Sequence, residues 1–385
     1  MDRQIRPTCA EIDLGAIRAN VEIACGLAGA GVEVMAVVKA DAYGHGAPPV
    51  AQAALEAGAS WLGVALPEEG MELREAGIEA RILVLGPVPK DQADLVVRHG
   101  LDQCVTDVTQ AEILNRAARR AGQPAAVHLK VDTGMGRVGV SPAEVLPAAA
   151  RLSSLDYLRL EGLMTHLAEA DAEDPAFTQE QLRAFRAAEA VLRGVGIRVP
   201  VRHAANSAGL LYHPEARLDL VRPGIMLYGC PPAARPRPGD PTLAAALRFR
   251  TEVVQLKDVP AGASIGYGRT FVAPRPLTVA TLPVGYADGL SRLLSNAGQV
   301  LVGGRRVPIL GRVCMDMTMV DVSAVPGVRV GDEAVLIGRQ GSAEITADEH
   351  AAWQGTISYE VLTAIGPRVP RVYVSGSGST ASSIS

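Results

Sequence analysis

The sequence predicts an α/β fold: a (β/α)8 TIM-type barrel joined to a second, mainly β C-terminal domain. Three observations predict it. Eight strand-like runs recur between Val34 and Gly224, alanine-rich helical patterns separate most of them, and past a proline-rich stretch only strands and turns continue. Eight alternating units over roughly 200 residues have the count and size of such a barrel. A doubly wound open sheet is the competing topology, and pattern alone does not exclude it.

The first run, Val34 to Lys39, is almost unbroken apolar sequence, the mark of a strand buried on both faces of a parallel sheet. The others are Trp61 to Leu66, Arg81 to Gly86, Asp102 to Thr106, Ala126 to Val131, Leu158 to His166, Val201 to Ala205 and Leu218 to Gly224. Helical patterns such as Pro48 to Gly58, Thr109 to Gly122 and Asp174 to Gly194 end in glycine, as a helix C-terminus should. Pro231 to Pro241 reads as a linker, which places the barrel at 12–240 and the β domain at 241–385. In the latter, Leu247 to Val259, Pro276 to Tyr286, Gln299 to Val322 and Val328 to Gly338 are strand-rich, and one helical pattern, Ala347 to Gly355, comes late. The Ser- and Gly-rich residues 375–385 read as a flexible tail.

A net charge of −4 and a pI near 6.0 leave no electrostatic footprint for nucleic acid or an anionic membrane. The five cysteines are odd in number, scattered and never in a CxxC pair, so neither a disulfide framework nor a zinc or other metal site is expected. The N-terminal residues lack a signal-peptide core, and no apolar run reaches membrane-spanning length, so a cytoplasmic protein is expected.

Polar residues gather at the ends of the predicted strands, where a barrel keeps its chemistry. Lys39 ends the first run; it either swings out to water or sits desolvated, and desolvation lowers its pKa and exposes the nucleophilic amine that Schiff-base chemistry needs. Only four of the 37 basic residues are lysine, which favours a chemical role for each. Tyr43 follows Lys39; Lys130, Asp132 and Arg137 follow the fifth run, and His166 ends the sixth. Asn206 and Ser207 follow the seventh, and Arg222, Gly224 and Ile225 the eighth. Taken singly, His166 reads as a core histidine, Asn206 and Ser207 as a helix cap, and Arg222 as a salt-bridge partner; together at one end of one architecture they read as a site. The last two loops offer unpaired amides at helix starts, the usual phosphate site of barrels. A phosphate beside a Schiff-base lysine suggests pyridoxal phosphate; a lysine-dependent aldolase acting on a phosphorylated sugar is the alternative, and Arg222, a fitting partner for a pyridine nitrogen, favours the cofactor.

These residues lie in the motifs AVVKADAYGHG, KVDTGMGRVG, LMTHLAEAD, HAANSAG, RPGIMLYG, GYGRTF, LPVGYADGL, VCMDM and ISYE. In that order, from about Ala10 to Tyr373, they resemble the alanine racemase family. The resemblance implies a pyridoxal 5'-phosphate enzyme that interconverts L- and D-alanine for cell-wall peptidoglycan, with a β domain that recruits a strand from about residues 1–11. Lys39 would bind the cofactor covalently; Tyr43, Asn206, Ser207, Gly224, Ile225 and Tyr359 would surround it, its phosphate above all, and Arg222 would face its pyridine nitrogen. Arg137 and the Met315 amide would address the substrate carboxylate, and Lys130 would be carbamylated to hold Arg137. Tyr267, from the other subunit of a homodimer, would be the second base, its phenolate favoured by positive charge on His166 and Arg222, while Tyr286 and Arg292 would line the entrance. A cofactor-carrier protein, a related amino-acid decarboxylase and a racemase of broader substrate range are the rival readings. The carrier has no reason for the second domain, Arg222 speaks against the decarboxylase, and the motifs do not choose between amino-acid substrates.

Overall fold

The computed structural model describes residues 6–233 and 237–375. It divides into a barrel unit, Ile17–Ala42 with Ala47–Ala244, and a β unit made of Tyr43–Gly46 and the segments before Ile17 and after Ala244. A strand β1 (Cys9–Asp13) comes first; the barrel strands are β2 (Glu33–Val37), β3 (Trp61–Val64), β4 (Arg81–Val84), β5 (Asp102–Val105), β6 (Ala125–Lys130), β7 (Leu158–Met164), β8 (Val201–His203) and β9 (Leu220–Val221).

These eight barrel strands run parallel in the order β8-β7-β6-β5-β4-β3-β2-β9. Two backbone bonds draw the sheet ends together into a nearly closed ring: the Asp219 amide to the Arg202 carbonyl at 3.1 Å and the Arg222 amide to the Ala205 carbonyl at 2.9 Å. Each strand occupies one of the runs read from the sequence, and the barrel rather than the open sheet is the topology. Met35, Trp61, Leu83, Cys104, Met164, Val201 and Leu220 form its buried core cluster, one from every strand except β6. Strands end earlier than their apolar runs, so Lys39, His166 and Arg222 stand just past strand ends instead of inside them. A helix that the sequence reading passed over, Leu14–Ala28, precedes the barrel; the Asp13 carboxylate caps it by accepting the Gly15 and Ala16 amides at 2.8 and 3.1 Å.

The β unit contains β10 (Leu247–Glu252), β11 (Gln255–Val259), β12 (Ser264–Ile265), β13 (Phe271–Val272), β14 (Leu277–Leu282), β15 (Gln299–Val302), β16 (Arg305–Leu310), β17 (Thr318–Asp321), β18 (Glu333–Gln340), β19 (Ala343–Ile345) and β20 (Arg371–Val374). Its main sheet runs β11-β14-β17-β16-β15-β18-β10-β1-β20, with β19 on β18. All its pairs are antiparallel except β1 with β20, so a strand near the N-terminus does join this sheet. Residues 1–5 of the strand expected there lie outside the described residues, as do 234–236 of the linker and 376–385 of the tail. The late helix, Ala347–Gln354, is capped by Thr346, and a second short helix, Ser358–Thr363, follows it. Among the described residues no helix is long and apolar enough to cross a membrane.

Candidate active site

Lys39 is half-buried two residues past β2. Burial lowers its pKa, the Arg137 charge lowers it further, and Glu69 opposes both. Behind it the backbone makes a single left-handed turn, with φ of 52°, 53°, 50° and 54° at Ala40, Asp41, Ala42 and Tyr43. Each L-residue held this way costs roughly 1–2 kcal/mol, so neighbours must impose the conformation. The Glu69 carboxylate does so from the next β/α unit, accepting the Ala40 amide at 2.7 Å together with the Ala65 and Leu66 amides at 2.7 and 3.2 Å. Asp41 accepts the Ala47 amide at 2.7 Å, and the Ala42 amide bonds the Val38 carbonyl at 2.9 Å. In the β unit, Arg371 closes the far end with two bonds to the Gly44 carbonyl, at 3.0 and 2.9 Å.

The rim beyond β6, β7 and β9 collects cations. Lys130 is 3% exposed, and burial, Arg137 and Arg222 depress its pKa. The Asp132 carboxylate is bound instead to the Gly134 and Gly136 amides at 3.0 and 3.1 Å, and no ion pair joins it to Lys130. Arg222, fully buried behind the rim, donates to the Thr165 and Ala204 carbonyls at 2.7 and 3.0 Å and to His203 Nδ1 at 3.0 Å. Its burial pulls its pKa down to about 10. His166 Nδ1 lies 3.5 Å from the same guanidinium. Burial, then Arg222, Lys130, Arg137 and Lys39 in turn, hold the His166 pKa well below its usual value. Five residues singled out in the sequence thus share one electrostatic cluster. The same fact corrects an expectation: His166 is a neutral ring near neutral pH, and Arg222 is the cation of that pair.

Asn206 caps the short helix Ser207–Tyr212, its side chain accepting the Gly209 amide at 2.9 Å. Ser207 Oγ accepts the Gly224 amide at 2.8 Å, tying the loop after β8 to the loop after β9. The amides of Ser207 and Ile225, each opening a helical turn, have no backbone partner among the described residues.

In the β unit, Tyr43 and Tyr359 pack with ring centroids 6.0 Å apart, and burial pushes the Tyr43 phenol above its usual range. Tyr267 stands on a turn between β12 and β13, 73% exposed. Tyr286 and Met315 are joined through their loops: the Tyr286 amide bonds the Cys314 carbonyl and the Ala287 amide the Met315 carbonyl, each at 3.0 Å. Gly285 permits that approach, since a Cβ there would lie 2.3 and 2.4 Å from those two carbonyl oxygens. Buried Asp288 anchors the same loop through ion pairs to Arg6 and Arg368, each at 2.7 Å. Arg292 is exposed and begins a turn over Arg292–Leu294.

Sequence reasoning did not single out Glu69, Gln181 or the His128–His203 pair. Glu69 had a signal, a glutamate at the third position of a helix that begins Leu66-Pro67. Gln181, inside a long helix, holds the loop after β7 through the His166 carbonyl and the Ala168 amide, and nothing local marks it. The histidines were visible as imidazoles inside apolar strand runs.

Fold and rim together define a two-domain barrel protein with a half-buried lysine just past a strand end. The alanine racemase N-terminal domain family matches residues 12–232, and the alanine racemase C-terminal domain family matches residues 246–373. An alanine racemase of Symbiobacterium thermophilum is 53% identical over 370 residues, covering 96% of this chain and 97% of its own. The solved alanine racemase of Bacillus anthracis with bound L-Ala-P superposes with a TM-score of 0.91 at 38% identity, covering 96% of this chain and 95% of that one. That of Streptomyces coelicolor does so with a TM-score of 0.91 at 42% identity, over 96% and 98% of the two chains. The chain belongs to the alanine racemase family, and is an isomerase.

Proposed function

We propose that the chain interconverts L- and D-alanine by a two-base mechanism that depends on pyridoxal 5'-phosphate, supplying D-alanine for peptidoglycan. The observation that carries this reading is the convergence of Lys39, Lys130, Arg137 and Arg222 on His166. A rim so rich in positive charge, with a hydroxyl and unpaired amides at Ser207 and Ile225, has the donor chemistry for a phosphorylated aldehyde and for a substrate carboxylate. The residues present therefore fit the cofactor. Lys39 would hold it through its amine; Ser207, Gly224 and Ile225 would hold its phosphate, with Asn206 capping the segment, and Tyr43 and Tyr359 would add phenols. Bound, the cofactor supplies an electron-withdrawing ring that weakens the Cα–H bond of the attached amino acid.

The chain's own residues then move the proton. Lys39, its pKa lowered by burial, takes or returns it on one face. Tyr267 of the partner subunit in a homodimer serves the other, in our reading. Arg137 and the Met315 amide orient the substrate carboxylate, and Tyr286 and Arg292 screen what enters. Guanidinium has no acceptor, so Arg222 would leave the cofactor's ring nitrogen unprotonated and moderate the electron withdrawal that the ring supplies. That moderation limits transamination. An Arg222→Glu enzyme should yield more pyruvate from L-alanine per racemisation event, and an unchanged ratio would count against this role.

Incubation with single L-amino acids in heavy water tests the whole reading. L-alanine should lose optical rotation while gaining deuterium at Cα, with other amino acids slower. Absence of both changes for alanine in the cofactor-loaded enzyme would overturn it.

A further inference from the structure

A line of buried polar side chains descends from Arg222 through the barrel interior. Arg222 Nη1 lies 3.0 Å from His203 Nδ1 on β8, and His203 Nε2 lies 2.8 Å from His128 Nδ1 on β6. His128 Nε2 lies 3.7 Å from Asp102 Oδ2 at the start of β5, longer than a hydrogen bond, and has no hydrogen-bond partner among the described residues. Arg81 holds that carboxylate from the barrel's far end at 2.6 Å. Both imidazoles are completely buried. Reaching β8 from β6 means crossing β7, and the fold makes room there. A Cβ at Gly162 would sit 2.0 Å from His128 Nδ1, and the β6–β7 register shifts between Val127 and His128.

The donor pattern along this line is forced. Guanidinium only donates, so His203 Nδ1 must be the lone pair and Nε2 must carry the hydrogen. His128 Nδ1 must accept it, which leaves the His128 hydrogen on Nε2, facing the Asp102 carboxylate. We propose that Asp102, His128 and His203 form a tautomer lock, in which the Asp102 carboxylate at one end of the barrel fixes the hydrogen pattern that keeps Arg222 aligned at the other. Burial lowers the pKa of both rings; Arg222 and then His128 lower that of His203 further, while Asp102 opposes the shift at His128. No proton travels along the line. The three are positioning residues, and the inference rests on Arg222 being the donor assigned above. Were His203 to adopt the opposite tautomer, its Nδ1 hydrogen would meet the Arg222 hydrogen, and the guanidinium would have to move.

Histidine-selective 15N NMR of the full-length enzyme, with and without cofactor, reads the tautomers directly, so the lock can fail while the racemase reading survives. In the parent protein both His203 and His128 should be neutral and protonated on Nε2 at neutral and alkaline pH. His128→Leu removes the acceptor of the Nε2 hydrogen and leaves Arg222 alone to hold the ring: as that contact loosens, His203 should show mixed tautomers, with kcat down about tenfold and KM within about twofold. His128→Asn returns an acceptor near the Nδ1 position, and should restore both the single His203 tautomer and most of kcat. Protonation of His203 on Nδ1 in the parent enzyme overturns the proposal, as does a His128→Leu variant with tautomer and kcat unchanged. Should the leucine variant fail to fold, the asparagine variant decides: an altered His203 tautomer there overturns the lock, a preserved one supports it.

Discussion

The Glu69 carboxylate accepts the Ala40 amide at 2.7 Å, so the second β/α unit of the barrel holds the left-handed turn that leaves the first. Removing this acceptor strands three amides at once. Glu69→Ala should lower unfolding free energy by on the order of 2–3 kcal/mol, given that hydrogen bonds to charged groups contribute about 1.5–3 kcal/mol each and water recovers part. Alanine turnover should fall more than stability alone explains, because Lys39 begins that turn. Glu69→Gln, which keeps an acceptor, should lie between. A urea midpoint and kcat both unmoved in Glu69→Ala would show that the turn stands without it.

Lys130 is buried near Arg137 and Arg222 and forms no ion pair with a carboxylate among the described residues. The depressed pKa favours the neutral amine, the form that adds carbon dioxide, and a carbamate there would turn a repulsive cation into an acceptor for Arg137. Enzyme equilibrated with 13C-labelled carbon dioxide should show one carbamate carbonyl resonance that is missing from Lys130→Ala. A crystal structure with clean ammonium density at Lys130 would rule it out under those conditions.

The proposed sharing of the site between subunits predicts complementation. Lys39→Ala and Tyr267→Phe homodimers should each be nearly inactive. Subunit exchange between them should create one site with both bases intact and one with neither, restoring activity to the mixture. If Tyr267 served its own chain, every site would still lack a base, and mixing would restore nothing.

His350 is 2% exposed, bonds the Leu336 carbonyl through Nε2 at 2.8 Å, and has a pKa pulled by burial to about 4. The unfolded chain binds a proton near pH 6.5 while the folded one resists until about pH 4, so the unfolded state binds more protons across that window. Stability falls as pH drops through it and levels off below, for a total of roughly 3 kcal/mol at about 1.4 kcal/mol per pH unit. His350→Gln, able to donate to the same carbonyl, should flatten that limb of a urea-denaturation profile. An identical acid slope in the variant would place the effect elsewhere.

The barrel was legible because strands covered on both faces are written in apolar residues, as in Val34 to Val38, and because helices such as Val108–Ala121 carry an aspartate cap and a closing glycine. The rim residues were legible because barrel chemistry gathers at strand ends and the motifs carry a family resemblance. The left-handed turn was not. Alanine, aspartate and tyrosine have no taste for positive φ, and Glu69, 29 residues away, imposes it. The Leu14–Ala28 helix was missed although Asp13 stood in the sequence as its cap. The neutral state of His166 was also out of reach, since it depends on how closely four cations approach, and strand order alone does not state that.

The close seat of Gly285 against the Cys314 and Met315 carbonyls has an evolutionary corollary. Tyr286 and Met315 sit on one stiff frame, so a change that reshapes the mouth proposed at Tyr286 is felt by the amide proposed to grip the substrate. Breadth of substrate and tightness of grip are therefore not independent dials in this chain. Lineages that widen the mouth at Tyr286 should carry a compensating change in the Val313 to Met317 loop, and those without one should turn over every amino acid more slowly, alanine included.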